Sequence, residues 1–210
     1  MLLRILIADD HSIVRKGLKQ ILLDEFPNAK IEEVPDAEGL MNKVMQGSWD
    51  VVVSDLSMPG RSGLDALHQI KLSFPNLPVL ILSIHSEEQY ALRVLKAGAS
   101  GYLSKDAAPD ELVKAIQTVL LGKKYISQSI AEKLASTFTS NTDKQPHETL
   151  SNREFDVMRL LANGKSVSEI ADILSLSVTT VSTYRARVMT KMNLKSNSGL
   201  TKYAIENKLI

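Results

Sequence analysis

Along residues 1–122 short apolar runs alternate with longer stretches in which apolar side chains return every three or four positions. The runs at 4–8, 30–34, 50–54, 79–83 and 101–103 predict five strands, since short apolar segments with little polar interruption suit strands covered on both faces. Between them Ile13, Val14, Leu18, Ile21 and Leu22 follow helical spacing, and 64–74, 87–97 and 110–121 do likewise. Pro75, Pro78 and Pro109 fall between elements or at a helix start, and Gly98 stands where a helix should end. The repeat predicts an α/β fold, a doubly wound five-stranded parallel sheet with helices on both faces.

The pattern fades over 123–147, where a short amphipathic piece at 130–138 gives way to a polar stretch at 136–145 and Pro146. These residues read as a linker, partly helical. Beyond Leu150 the period is purely helical. Two capping boxes, Ser151 with Glu154 and Ser166 with Glu169, mark helix starts. Four helices are predicted at 152–162, 167–174, 178–192 and 197–207, with turns at Gly164 and 175–177. The expected organisation is therefore an α/β domain at 1–122, a linker at 123–147 and a small all-α domain at 148–210, which 210 residues accommodate.

Charge sharpens this division. The formal net charge is only +1, yet residues 1–147 hold 16 Lys/Arg against 18 Asp/Glu and residues 148–210 hold 9 against 6. Within 178–210, Arg185, Arg187, Lys191, Lys195, Lys202 and Lys208 face only Glu206, a balance suited to a polyanion. Absence of cysteine excludes disulfide staples and thiolate metal sites. The first apolar run stops at Asp9, too short for a signal peptide, and no stretch reaches the roughly 20 residues of a membrane span. A soluble cytoplasmic protein without a membrane partner is expected.

Candidate chemistry in the first domain lies at strand ends, where open α/β sheets place ligands. Asp9 and Asp10 follow the first strand and Asp55 follows the third. Adjacent strands would bring the three acids into one crevice, self-repelling unless a cation lies among them. Oxygen-only donors favour a hard ion such as Mg²⁺. A carboxylate so placed can act as nucleophile toward a phosphoryl group, and Asp55, central in the crevice, is the expected acceptor. Ser83 after strand four could hydrogen-bond a phosphoryl oxygen, and Lys105 after strand five could pair with it.

Ala8-Asp9-Asp10-His11, Asp55-Leu56-Ser57-Met58-Pro59-Gly60 with Gly63, and Gly101-Tyr102-Leu103-Ser104-Lys105 together resemble a two-component receiver domain of flavodoxin-like fold. The resemblance implies that Asp55 is phosphorylated, that Asp9, Asp10, Asp55 and the backbone carbonyl of Ser57 hold Mg²⁺, and that Ser83 and Lys105 bind the phosphoryl group. It further implies that Tyr102 is an aromatic switch turning inward on activation, where the residue would otherwise be a half-buried core ring. Asp106 stands where many receivers have proline directly after the lysine. His11 and His85 read as helix-start and loop residues without a primary role.

In the second domain, 167–174, the turn at 175–177 and 178–192 form a helix-turn-helix pattern pinned by Ile170, Ala171, Leu174, Leu176, Val178 and Val181. Ser177 is a suitable N-cap. Thr179, Thr180, Ser182 and Thr183 are short polar chains able to reach base edges or phosphates, Tyr184, Arg185 and Arg187 continue the helix, and Lys191 and Lys195 suit the DNA backbone. Leu150-Ser151-Asn152-Arg153-Glu154, Ala162-Asn163-Gly164-Lys165-Ser166 and Ser177-Val178-Thr179-Thr180-Val181-Ser182-Thr183 resemble the LuxR-type domain of NarL/FixJ response regulators. Many members have Lys and His at the positions of Ser182 and Tyr184.

The two resemblances imply a phosphorylation-controlled transcriptional regulator rather than an enzyme, with only self-phosphorylation and slow dephosphorylation as chemistry. A sensor histidine kinase or small acyl-phosphate donor would supply the phosphoryl group. The regulator would bind double-stranded DNA as a homodimer on activation, at half-sites about one helical turn apart. Two other classes fit parts of the pattern. A haloacid-dehalogenase-type phosphohydrolase would want a second Asp two residues after the nucleophile, where Ser57 stands, and an interaction adaptor would leave the basic helix unexplained.

Overall fold

The structure, a computed structural model, describes residues 2–58, 62–84, 87–107, 109–128, 130–132 and 145–210, without the side chains of 87–89. Pro59, Gly60, His85 and most of the predicted linker lie outside these residues. The chain forms two compact units, 1–139 and 140–210.

The first unit is a parallel sheet of β1 (Arg4–Ala8), β2 (Lys30–Val34), β3 (Val51–Asp55), β4 (Val79–Ser83) and β5 (Gly101–Ser104) in the order β2-β1-β3-β4-β5. Helices α1 (Ser12–Glu25), α2 (Ala37–Gln46), α3 (Gly63–Ser73), α4 (Glu87–Lys96) and α5 (Pro109–Leu120) alternate with the strands. Strand residues alternate between faces. Ile5, Ile7, Val51, Val53, Leu80, Leu82 and Leu103 pack with Leu22 of α1 and with Leu112, Ala115, Ile116 and Val119 of α5. Leu6, Val52, Ile81 and Tyr102 are fully buried at the alternate positions.

Three sequence expectations change. Helix α2 was not marked by periodicity, because a ten-residue segment with Gly39 in its first turn buries only Ala37, Leu40 and Val44. Its readable signal is the N-cap, where Asp36 accepts from Gly39 N–H. Strand three starts and ends one residue later than 50–54, which makes Asp55 its last residue. Ile13, included in the apolar period of α1, is 81% exposed, because the buried side of that helix centres on Leu22.

After α5 the chain returns to the sheet edge: Tyr125 N–H donates to Ser100 C=O at 2.8 Å, and Tyr125 bridges Gly101 in parallel sense. Gly101 is required there, since a Cβ would stand 2.9 Å from both Leu80 Cδ1 and Tyr125 O.

The second unit begins with a 3₁₀ turn (Pro146–Thr149) and continues with α6 (Asn152–Ala162), α7 (Val167–Leu174), α8 (Val178–Lys191) and α9 (Asn197–Glu206). Each of the four helices starts at a serine whose Oγ accepts a backbone N–H: Ser151, Ser166, Ser177 and Ser196. Both predicted capping boxes are formed. Phe155, Val157, Met158, Ile170, Val181, Val188, Leu200 and Ala204 make the core. The turn is tied down by His147, whose Nδ1 lies 2.8 Å from Tyr203 Oη on α9. No described helix is long and apolar enough to cross a membrane.

Candidate functional site

Strand register builds the first site. Ala8 pairs with Ser54, Asp55 with Leu82, and Ser83 with Ser104, so Asp9, Asp55, Ser83 and Lys105 occupy neighbouring positions at the carboxyl edge of the sheet. The order β2-β1-β3-β4-β5 reverses direction at β1 and β3, the crevice where such sheets bind ligands. Backbone bonds extend past the strand ends: Leu56 N–H donates to Leu82 C=O at 3.0 Å and Lys105 N–H to Ser83 C=O at 2.9 Å. Gly63 lets α3 start against this edge, because a Cβ there would fall 1.9 Å from Asp55 C=O.

Lys105 joins the acids. Its Nζ lies 2.8 Å from Asp55 Oδ2 and 2.8 Å from Asp9 Oδ2, both carboxylates being almost fully buried. Burial pushes the Asp55 carboxyl above its ordinary 3.8, against the hydrogen bond and charge of Lys105 and the Ser57 N–H; the Asp9 charge adds to the rise. Burial acts against the Lys105 ammonium as well, but Asp55 and Asp9 outweigh it and raise its affinity for its proton. Lys105 is thereby a persistent cation beside Asp55 Oδ2.

One ammonium does not balance three carboxylates. Oxygens of Asp9, Asp10 and Asp55 and a nitrogen of His11 all lie within 4.8 Å of one another. Asp9 Oδ2 is buried and, though close to Lys105, receives no well-directed hydrogen bond. This cluster can hold a metal ion, and its oxygen-rich donor set fits a hard divalent cation.

Sequence reasoning missed how the acids are held. His11 N–H donates to Asp9 Oδ1 at 2.8 Å and its Nδ1 lies 2.7 Å from Asp10 Oδ1, while Arg15 donates to Asp9 C=O at 2.6 Å. Adjacency of His11 to the acid pair was a readable signal; Arg15, a turn into α1, gave none. Ser57 N–H donates to Asp55 Oδ1 at 3.2 Å. Ser83 is fully buried. Tyr102 is also fully buried, so the half-buried alternative is corrected: its ring already points into the unit.

The second candidate surface is α8. Val181 and Val188 are buried, and Thr179, Ser182, Thr183, Ala186, Arg187 and Thr190 form its exposed side. At about 100° per residue, Arg185 and Arg187 lie roughly 160° apart and cannot share a face. Arg185 turns toward α9, donating to Asn197 Oδ1 from Nε at 3.2 Å and from a terminal guanidinium nitrogen at 3.0 Å. Arg187 lies on the exposed side. Lys191 pairs with the nearly buried Glu154, Nζ to Oε2 at 2.7 Å. Burial opposes the Glu154 charge, but Lys191 and the Ser151 N–H and hydroxyl overcome it and hold its carboxyl below the ordinary 4.5. Thr180 and Tyr184 are half-buried at the flanks, and Lys195 is exposed beyond the helix.

Known proteins share this arrangement. Residues 5–117 match the family described as response regulator receiver domain, and residues 148–204 match bacterial regulatory proteins of the luxR family. The chain is 39% identical to the oxygen regulatory protein NreC of Staphylococcus carnosus over 99% of both chains, and 38% identical to that of Staphylococcus aureus over the same shares. Among solved structures it is similar to RcsB of Salmonella enterica serovar Typhimurium bound to promoter rprA with the phosphomimetic BeF3⁻, at 29% identity and TM-score 0.65, covering 96% of this chain and 98% of that one. A LuxR-family response regulator from Aurantimonas is 34% identical with TM-score 0.60, covering 67% of this chain and 100% of that one. With both domains matched in this order, the chain is a response regulator of the NarL/FixJ type, a receiver followed by a LuxR-type helix-turn-helix domain.

Proposed function

We propose that Asp55 is the phosphoryl acceptor of this DNA-binding transcription regulator, and that its phosphorylation sets the DNA affinity of α8. The observation that carries the proposal is the meeting of Asp9, Asp55 and Lys105 through 2.8 Å contacts at the carboxyl edge of the sheet, Lys105 reaching across from β5. A carboxylate oxygen of Asp55 attacks phosphorus, the bond to the donor's nitrogen or acyl oxygen breaks, and the electron pair leaves with the donor. Asp9, Asp10, Asp55 and the Ser57 carbonyl would hold Mg²⁺, which when bound neutralises charge on the phosphoryl oxygens. Lys105 supplies a cation already desolvated and in place, and Ser83 a hydroxyl for a phosphoryl oxygen.

The donor is a sensor histidine kinase or a small acyl phosphate. Phosphorylation adds about −1.5 to −2 charge at the strand edge. Ser83 moves toward it, and Tyr102, on the strand that leads to Lys105, holds the inward position it already has. The receiver at 1–122 acts through a linker at 123–147 on the domain at 148–210, which binds double-stranded DNA as a homodimer in the cytoplasm, where the DNA is. Thr179, Thr180, Ser182, Thr183, Tyr184 and Arg187 are the proposed DNA contacts; Arg185 and Lys191 would take part only after leaving Asn197 and Glu154.

Incubation with acetyl phosphate and Mg²⁺ tests the acceptor. Mass spectrometry should find a base-labile phosphoryl adduct on Asp55 in the parent and none in Asp55→Asn, and genomic DNA fragments should be retained more tightly by the treated parent alone. An adduct on another residue, or retention that ignores the treatment, would overturn the proposal.

A further inference from the structure

Two hydroxyls in the first turns of α8 are engaged within the protein. Thr183 Oγ1 donates to Thr179 C=O at 3.0 Å, one turn back, and Thr180 Oγ1 lies 2.7 Å from Ser177 Oγ. When a helical threonine turns its hydroxyl back to the i−4 carbonyl, its Cγ2 methyl becomes the group directed outward. Thr183 is exposed, and on the same side, three residues on, Ala186 is exposed with nothing but its Cβ to offer. Between Val178 and Tyr184 the helix carries no cation, so bidentate reading of guanine is not open to its first two turns.

Resting on the reading that α8 enters the major groove, we propose that Thr183 recognises a thymine through its methyl group rather than its hydroxyl, with Ala186 lining the same contact. Thymine alone among the bases presents a methyl in that groove, and small apolar side chains are its ordinary partners. Withdrawing one methyl-sized group from water corresponds to about fourfold in affinity. The half-site then carries a thymine opposite Thr183, and discrimination there comes from apolar contact.

Two substitutions separate the methyl from the hydroxyl. Thr183→Ser removes only the methyl and keeps the bond to Thr179; Thr183→Val removes the hydroxyl and keeps a methyl outward. The probe is a synthetic duplex of the sequence that the full, acetyl-phosphate-treated chain selects from fragmented genomic DNA, with each thymine replaced in turn by deoxyuridine. At fixed salt the Ser variant, which loses the methyl in both half-sites of the dimer, should bind about fifteenfold more weakly and the Val variant within about twofold of the parent. One deoxyuridine position should weaken the parent about fourfold and leave the Ser variant unaffected.

The opposite order, Val weakened and Ser intact, overturns the proposal. So does a deoxyuridine effect that is absent at every position or undiminished in Thr183→Ser. Unfolding midpoints equal to the parent's show that the variants fold. The docking of α8 is judged separately by Arg187→Ala: unchanged affinity and salt slope there sink the docking, whereas weakened binding with silent deoxyuridine sinks only the methyl reading.

Discussion

Two buried carboxylates, each beside a lysine, behave in opposite ways. Asp55 in the receiver has its pKa raised, while Glu154 in the helical domain has its pKa lowered. Burial raises both and is the largest single influence on each. At Asp55 it outweighs Lys105 and the Ser57 N–H, with the Asp9 charge a smaller addition, whereas at Glu154 the burial is weaker and Lys191 and Ser151 together overcome it. Glu154 has Lys191 to itself and closes a capping box with Ser151. Asp55 shares Lys105 with Asp9 and carries that second negative charge nearby. A carboxylate whose charge is fully answered supports the fold, whereas a cluster left short of positive charge keeps an appetite for cations and opposes its own ionisation.

The largest break in this comparison is Asp55→Asn. It should abolish the phosphoryl adduct and, in the absence of Mg²⁺, raise the receiver's midpoint in calorimetry. The sign follows from the raised folded-state pKa: protonated Asp55 favours the fold below that value, and the benefit is lost as pH rises through it. Removing the charge restores it at neutral pH, and a lower midpoint would contradict the account of Asp55.

Next in size is Glu154→Gln, expected to lower the stability of the helical domain by about 1–2 kcal/mol, the low end because Lys191 is partly in water. The depressed pKa gives the parent a matching acid sensitivity. Stability from Glu154 is present above its ordinary 4.5 and is lost as pH falls through the lower folded value. Helical circular dichroism of Glu154→Gln, followed as pH falls below the ordinary 4.5, should therefore show less acid loss than the parent.

Arg187→Ala and Arg185→Ala divide structure from binding more finely. Arg187→Ala should reduce the salt slope of DNA binding by about one phosphate contact. Arg185→Ala should leave the slope closer to the parent's and loosen α9, from which its guanidinium takes Asn197 Oδ1. Equal slopes in the two variants would mean that both arginines reach the DNA. Chelation is expected to act on the same scale as Glu154→Gln: removing Mg²⁺ present at ten times its dissociation constant lowers receiver stability by about 1.4 kcal/mol in the parent and less in Asp55→Asn.

Much of the receiver was legible because local signals agreed. Apolar runs, prolines between elements and acids at strand ends specified all five strands, each to within one residue, and named Asp9, Asp55 and Lys105 without a single long-range distance. Helix α2 escaped because Gly39 and a thin apolar stripe left its period weak, although Asp36 marked its start. In the helical domain capping chemistry was the strongest text, and both boxes form where Ser151 and Ser166 placed them. The functional face of α8 was harder, since a list of polar residues does not say which ones point together or which hydroxyls are already engaged.

What the sequence determined by itself was the alternation of strands and helices, their capped ends and the chemical types gathered at the strand tips, all of which depend on neighbours a few residues apart. Only the tertiary structure decided that Lys105 answers two acids, that Lys191 answers Glu154, that Arg185 belongs to Asn197 and that Tyr102 is buried. Each of these turns on distances between groups remote in the chain, and Coulomb energy, burial and hydrogen bonding depend on those distances rather than on order in the sequence.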